Sequence, residues 1–170
     1  MTTPAIAILP YGGRLGRRHA ARPLDDLIWP LGRPERLARG TLADLDPEDH
    51  LIVFPKTGMH FLPTFGLRAK VSIMVVEPAP IHGHHLRLLR LTHRRFFRVL
   101  SHDPALLSAI PNGIKFVYGT SWVGVPDTLG LTKRRHMSLI ASNKRDLPGH
   151  QLRHEIIEDI LVANLDVALL

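Results

Sequence analysis

The sequence predicts an α/β fold in which a mostly parallel sheet is flanked by helices. Three observations predict it. Short apolar and β-branched runs recur along the chain, Val71-Ser-Ile-Met-Val-Val76 being the clearest. Segments with helical start signals or helical spacing alternate with these runs, the pattern of a parallel sheet. The 170 residues are 45% hydrophobic and 22% charged, enough for one domain with a real core and unlike a disordered chain.

The elements follow in order. Ala5-Ile-Ala-Ile-Leu9 is an apolar run stopped by Pro10 and reads as a buried first strand. The glycines of Tyr11-Gly-Gly-Arg-Leu-Gly-Arg-Arg18 could open a phosphate loop, because backbone N–H groups approach an anion only where no side chain intervenes. Their spacing matches neither common nucleotide-binding pattern and no lysine follows, so a basic surface loop is the plainer reading. From Arg22 to Asp49, Pro23, Pro30, Pro34 and Pro47 together with Gly32 and Gly40 make an irregular connection, with a short helix expected over Leu37–Leu45. Leu51–Phe54 is the second strand and Val71–Val76 the third, which ends at Glu77-Pro78.

His82 to His102 holds five arginines, five histidines and no carboxylate. If helical, it sets Arg87, Arg90, Arg94 and Arg98 on one face and Leu86, Leu89 and Phe96 on another. Phe96–Leu100 reads as a strand. Asp103 caps a short helix to Ile110, with Pro104 at the first helical position, where its missing N–H costs nothing. Ile114–Tyr118 is the next strand, and Gly119-Thr-Ser-Trp-Val123 a loop. Met137–Ala141 is the last expected strand, Ser142–Gly149 a polar turn, and His150–Ala163 an amphipathic helix with Leu152, Ile156, Ile160 and Ala163 at helical spacing. The expectation is one domain over 1–163 and a tail over 164–170.

Composition narrows the function classes. There is no cysteine, so disulfides and thiolate metal sites are excluded. A net charge of +7 favours partners that carry phosphate or other anionic groups. No apolar run approaches the ~20 residues of a membrane helix, and Met1–Leu9 lacks the features of a signal peptide. The expectation is a cytoplasmic protein able to work at the inner face of a membrane.

Glu77 stands just past a buried strand, where α/β folds place active sites; a surface glutamate before a proline turn is an equal reading. His82, His84 and His85 suggest a metal, but the adjacent pair should diverge on a helix and no nearby carboxylate completes a set. The arginines read first as a solvated basic face. Arg153, on the last helix, reads from its residues alone as a surface arginine paired with Glu155 or Glu158.

Two stretches resemble the fucosyltransferase-like glycosyltransferases, family ten of the carbohydrate enzymes. Met137-Ser-Leu-Ile-Ala-Ser-Asn143 followed by Leu152-Arg153 is similar to that family's strand ending in Ser-Asn and the arginine of its next helix. Phe96-Phe-Arg-Val-Leu-Ser-His-Asp103, Pro111-Asn112 and Gly119-Thr-Ser-Trp122 are similar to an arrangement in its bacterial and capsule- or lipopolysaccharide-associated members. Glu77-Pro78 resembles its glutamate turn. The resemblance spans roughly Val71 to Ile160.

It implies a Rossmann-like sheet like the N-terminal, acceptor-side half of a GT-B enzyme, and inverting, metal-independent transfer without a cofactor. The donor is a nucleotide sugar, usually GDP-fucose, and the acceptor a glycan. Glu77 is implied as general base. Arg153, with Ser142 and Asn143, is implied at the donor diphosphate, and His82, His84 and Trp122 on the acceptor side. The family's donor-binding half has no counterpart in these residues, so a donor domain is expected from elsewhere. The rival reading is a non-enzymatic basic module for nucleic acid or an anionic surface; the absence of interleaved aromatic platforms and of a helix-turn-helix pattern argues against nucleic acid.

Overall fold

Five parallel strands carry the larger part of the fold. They are β1 (Ile6–Ile8), β2 (His50–Val53), β3 (Lys70–Val75), β4 (Val99–Ser101) and β5 (Gly113–Lys115), joined side by side in that order. The structure, a computed structural model, describes residues 3–13, 19–62, 67–119, 130–132 and 137–170. The chain divides into two compact units, Met1–Gly119 and Thr120–Leu170. The sequence reading expects one domain over 1–163; the division into compact units falls at Gly119.

The register sets Ala7 beside Leu51 and Leu51 beside Val71, and Ile73 beside Val99. Side chains alternate across a strand, so these residues share one face. That face is the core: Ala5, Ala7, Leu9, Leu51, Val53, Val71, Ile73, Val75 and Val99 pack in one cluster. The cluster takes Leu24, Leu37, Leu42 and Leu45 from the β1–β2 connection. It takes Leu86 and Leu89 from α1 (Ala79–Thr92), and Leu106 and Ile110 from α2 (Pro104–Ala109) and its C-cap. The second face carries Ile6, Ile8, Ile52 and Leu100, all half-buried.

The alternation and parallel pairing are those of a Rossmann-like α/β fold. The order differs from a doubly wound sheet in one respect: it advances in one direction through all five strands. Right-handed crossovers that keep advancing the same way all fall on one face. This is why the connections share a core, and why these strands contain no order reversal of the kind that opens a dinucleotide crevice.

The β1–β2 connection contains no α-helix among its described residues. In place of the expected helix over Leu37–Leu45 there are two 3-10 turns, Glu35–Leu37 and Leu42–Asp44. Gly40 separates them at φ +122°, and a Cβ there would stand 2.5 Å from the Asp44 carboxylate. Asp44 closes the second turn by accepting from the Thr41 N–H at 2.7 Å. Beneath β1 and β2, buried Asp49 accepts from the Ala5 and Asp46 N–H groups, each at 2.8 Å, and from Arg36 at 3.0 and 2.5 Å. Burial works to raise the Asp49 pKa, but Arg36 and the two backbone donors outweigh it and hold the carboxyl below its ordinary value.

Asp103 caps α2 as the sequence predicts, accepting from the Leu106 N–H at 2.6 Å. The basic segment is helical only to Thr92, with a 3-10 turn over His93–Arg95. Arg87, Arg90 and Arg94 are exposed and Leu86, Leu89 and Phe96 buried, as expected, but Arg98 lies in extended chain beyond the helix. Asn112 ties this corner together by donating to the His93 and Phe96 carbonyls, both at 2.9 Å.

Among its described residues the second unit contains one βαβ element. β6 (Met137–Leu139) and β7 (Val167–Leu169) pair in parallel on either side of α3 (Pro148–Val162). The expected tail therefore contains a strand. Asn164, at φ 50°, ends the helix and turns the chain toward it.

Candidate functional site

A parallel sheet sends the carboxyl ends of its strands to one edge, where α/β proteins gather binding residues. After β1 comes Tyr11. After β2 come Lys56 and a 3-10 turn over Thr57–His60. After β3 come Glu77, half-buried, and then α1 with His82, His84 and His85. Tyr11 packs edge-on against Phe54 at a ring separation of 5.0 Å, and Lys56 Nζ lies 5.8 Å from the Tyr11 ring centre. Burial, then the charges of Glu77 and Tyr118, push the Tyr11 phenol above its ordinary value.

Behind this edge lies a set of buried histidines. His60 is fully buried; its Nδ1 is 3.0 Å from Thr92 Oγ1 and its Nε2 is 3.0 Å from His85 Nδ1. The His60 and His85 rings are nearly parallel, 18° apart at 5.2 Å, and His82 stands edge-on to His85 at 5.3 Å. Burial pushes His60 down to about 4, helped by His84 and Arg95. Burial and the neighbours His84, His60, His82 and Lys56 take His85 down to about 4 as well. His82 is also lowered, by burial first; Glu77 opposes that shift, while His84 and Lys56 add to it. Its Nδ1 is buried with no hydrogen-bond partner among the described residues.

The adjacent His84 and His85 do not diverge as the helix geometry predicts. Their ring centres are 3.7 Å apart. Their Cβ directions differ along the helix, yet exposed His84 turns its ring back onto buried His85. Among the described residues no group of three or more His, Cys, Asp or Glu is arranged to hold a metal ion. Both ring nitrogens of His60 are engaged by other side chains.

Glu77, His82 and His84 are thus brought to one edge of the first unit. Trp122 lies outside the described residues. Ser142, Asn143 and Arg153 belong to the second unit, where all three are exposed. Arg153 is the sixth residue of α3, about a turn and a half in, and it forms no ion pair with Glu155 or Glu158. The turn before α3 folds onto the helix: Gln151 Nε2 donates to the Arg145 carbonyl and His154 Nε2 to the Lys144 carbonyl, each at 3.2 Å. No side chain caps the first turn of α3.

Sequence reasoning missed Tyr11, Lys56, His60 and Thr92. One signal was available for the first two: each lies within three residues of a strand's carboxyl end. Chemically, the edge offers a carboxylate, a phenol, an ammonium and uncharged imidazoles. This set can accept hydrogen bonds and protons from a hydroxyl-bearing ligand. Comparison of the chain with protein families, with curated proteins and with solved structures gives no match.

Proposed function

We propose that the first unit is the acceptor-side domain of an inverting sugar transferase, with a glycan as acceptor and a nucleotide sugar such as GDP-fucose as donor. The observation that carries this reading is the position of Glu77, at the carboxyl edge of the sheet beside Tyr11 and His82. Glu77 takes the proton of the attacking acceptor hydroxyl as its oxygen bonds to the anomeric carbon. The bond from that carbon to the diphosphate breaks on the opposite side, and the nucleoside diphosphate leaves with the electron pair. Taken by itself, the second unit offers Arg153, exposed and without an ion pair among the described residues, as the charge for a nucleotide-sugar diphosphate, with Ser142 and Asn143 as further hydrogen-bonding groups. Titration calorimetry with GDP-fucose tests the donor side: Arg153→Ala should weaken binding by about ten-fold or more, the worth of one charge-assisted pair. Equal binding by the two proteins rejects the donor role of Arg153. The acceptor side is tested by transfer to glycans, which Glu77→Gln should abolish without abolishing glycan binding.

One observation favours a second reading, a surface for polyanions. Arg87, Arg90 and Arg94 are exposed, and none pairs with a carboxylate among the described residues. Under that reading affinity for duplex DNA or RNA falls steeply with salt, and substitution of the three arginines flattens the slope.

A further inference from the structure

The histidines behind the Glu77 edge have a direction. Thr92 Oγ1 lies 2.9 Å from the Leu88 carbonyl, and a carbonyl only accepts, so the threonine hydroxyl donates there. The hydroxyl hydrogen is thereby used, and Thr92 can only accept from His60 Nδ1 at 3.0 Å. A neutral His60 protonated at Nδ1 presents a lone pair at Nε2. His85 Nδ1, 3.0 Å away, must then be the donor. The proton of a neutral His85 is therefore on Nδ1, the reverse of the form that dominates in a free imidazole side chain, and its Nε2 is a bare acceptor. That nitrogen has no hydrogen-bond partner among the described residues.

We propose that Thr92, His60 and His85 form a one-way hydrogen-bond chain that fixes His85 Nε2 as the acceptor for a hydroxyl of a neutral, polyhydroxylated ligand at the Glu77 edge. This deepens the acceptor-site reading and rests on it. The chain is built into the fold: His60 is fully buried and His85 is 5% exposed, and they come from different elements. The chain ends on His85 Nε2, which no described group engages and which is not among the buried unpaired atoms, so a ligand hydroxyl can serve as its partner. One turn earlier on α1, His82 is 8% exposed and leaves Nδ1 unpaired as well. His82 and His85, at i and i+3, share one face of α1, with their rings at 89° to one another. The groups around them are His84 on α1, Lys56 after β2, Arg95 beyond α1 and Glu77 before it. Burial first, then His84 with Arg95 for His60 and with Lys56 for His85, keeps both rings uncharged at neutral pH, while Glu77 acts on His82 in the opposite sense, so His85 accepts a hydrogen bond there without carrying charge. Thr92 and His60 are positioning residues in this arrangement.

The test is long-range proton–nitrogen correlation NMR on the 15N-labelled full chain, with methyl β-galactoside, methyl β-glucoside and inorganic phosphate as probes. The expected result is protonated Nδ1 and unprotonated Nε2 for both His60 and His85 from neutral pH to near pH 5, with His85 Nε2 shifting on addition of a methyl glycoside and not of phosphate. Thr92→Val should release both rings into a mixture of proton positions and weaken glycoside binding several-fold, and Thr92→Ser should restore both. A mixed or reversed proton position in the unsubstituted protein overturns the chain while leaving the Glu77 acceptor reading intact. Fixed proton positions with a response to phosphate alone, or to no probe, overturn the neutral-ligand assignment. Loss of glycan transfer in Glu77→Gln is read separately, because it does not report the histidine proton positions.

Discussion

Nε2 of His60 and Nδ1 of His85 stand 3.0 Å apart inside the first unit, and neither ring carries charge at neutral pH. Both are held at about 4, against an ordinary value of 6.5. The unfolded chain therefore binds more protons than the folded one between those values. Stability is complete above about pH 6.5 and declines as pH falls toward 4, with a slope approaching two protons and a total loss on the order of a few kcal/mol. Urea titrations from neutral pH down to near pH 5 should show the midpoint falling throughout. A constant midpoint would show that the pair is not buried and neutral.

Asp49 anchors the start of β1 and the approach to β2 through four accepted hydrogen bonds. Asp49→Ala leaves Arg36 with only its longer contact to Asp46, at 3.4 Å, and two backbone N–H groups unsatisfied. The expected cost is about 3–5 kcal/mol in chemical denaturation. A cost below about 1 kcal/mol would mean that solvent replaces those bonds.

Two leucines on α1, two residues apart, should respond very differently. Leu89 is fully buried, and Leu89→Ala should cost about 2–5 kcal/mol. Leu91 is 83% exposed, and Leu91→Ala should change stability by no more than about 0.5 kcal/mol. Similar losses for the two would contradict the orientation of α1 on the sheet.

Arg153 is exposed and has no ion pair among the described residues, so Arg153→Ala should leave the thermal midpoint nearly unchanged, within about 0.5 kcal/mol. That neutrality lets a loss of nucleotide-sugar binding in the same variant be assigned to the site. A large destabilisation would instead make Arg153 part of the fold.

Local signals were legible in the sequence and tertiary ones were not. Val71–Val76 announced β3 because a fully buried parallel strand is continuously apolar. The Asp103-Pro104 cap was readable because its chemistry lies within four residues. The helix expected over Leu37–Leu45 failed at Gly40, whose positive φ is a property of the folded turn. β7 was hidden because its partner β6 lies thirty residues earlier, Met137 beside Val167. At the Glu77 edge, Glu77 was legible from its place after β3 and His82 from the run of histidines that follows. His60 was not, since it meets His85 across 25 residues and Thr92 across 32. No local periodicity records such a pairing.

The one-directional strand order has a consequence during synthesis. Each strand of the first unit docks on the one made just before it, so the sheet can grow from its first edge as the chain leaves the ribosome. Glu77, His60, His85 and Thr92 all precede β4. The groups of the Glu77 edge therefore leave the ribosome ahead of the last two strands of that sheet.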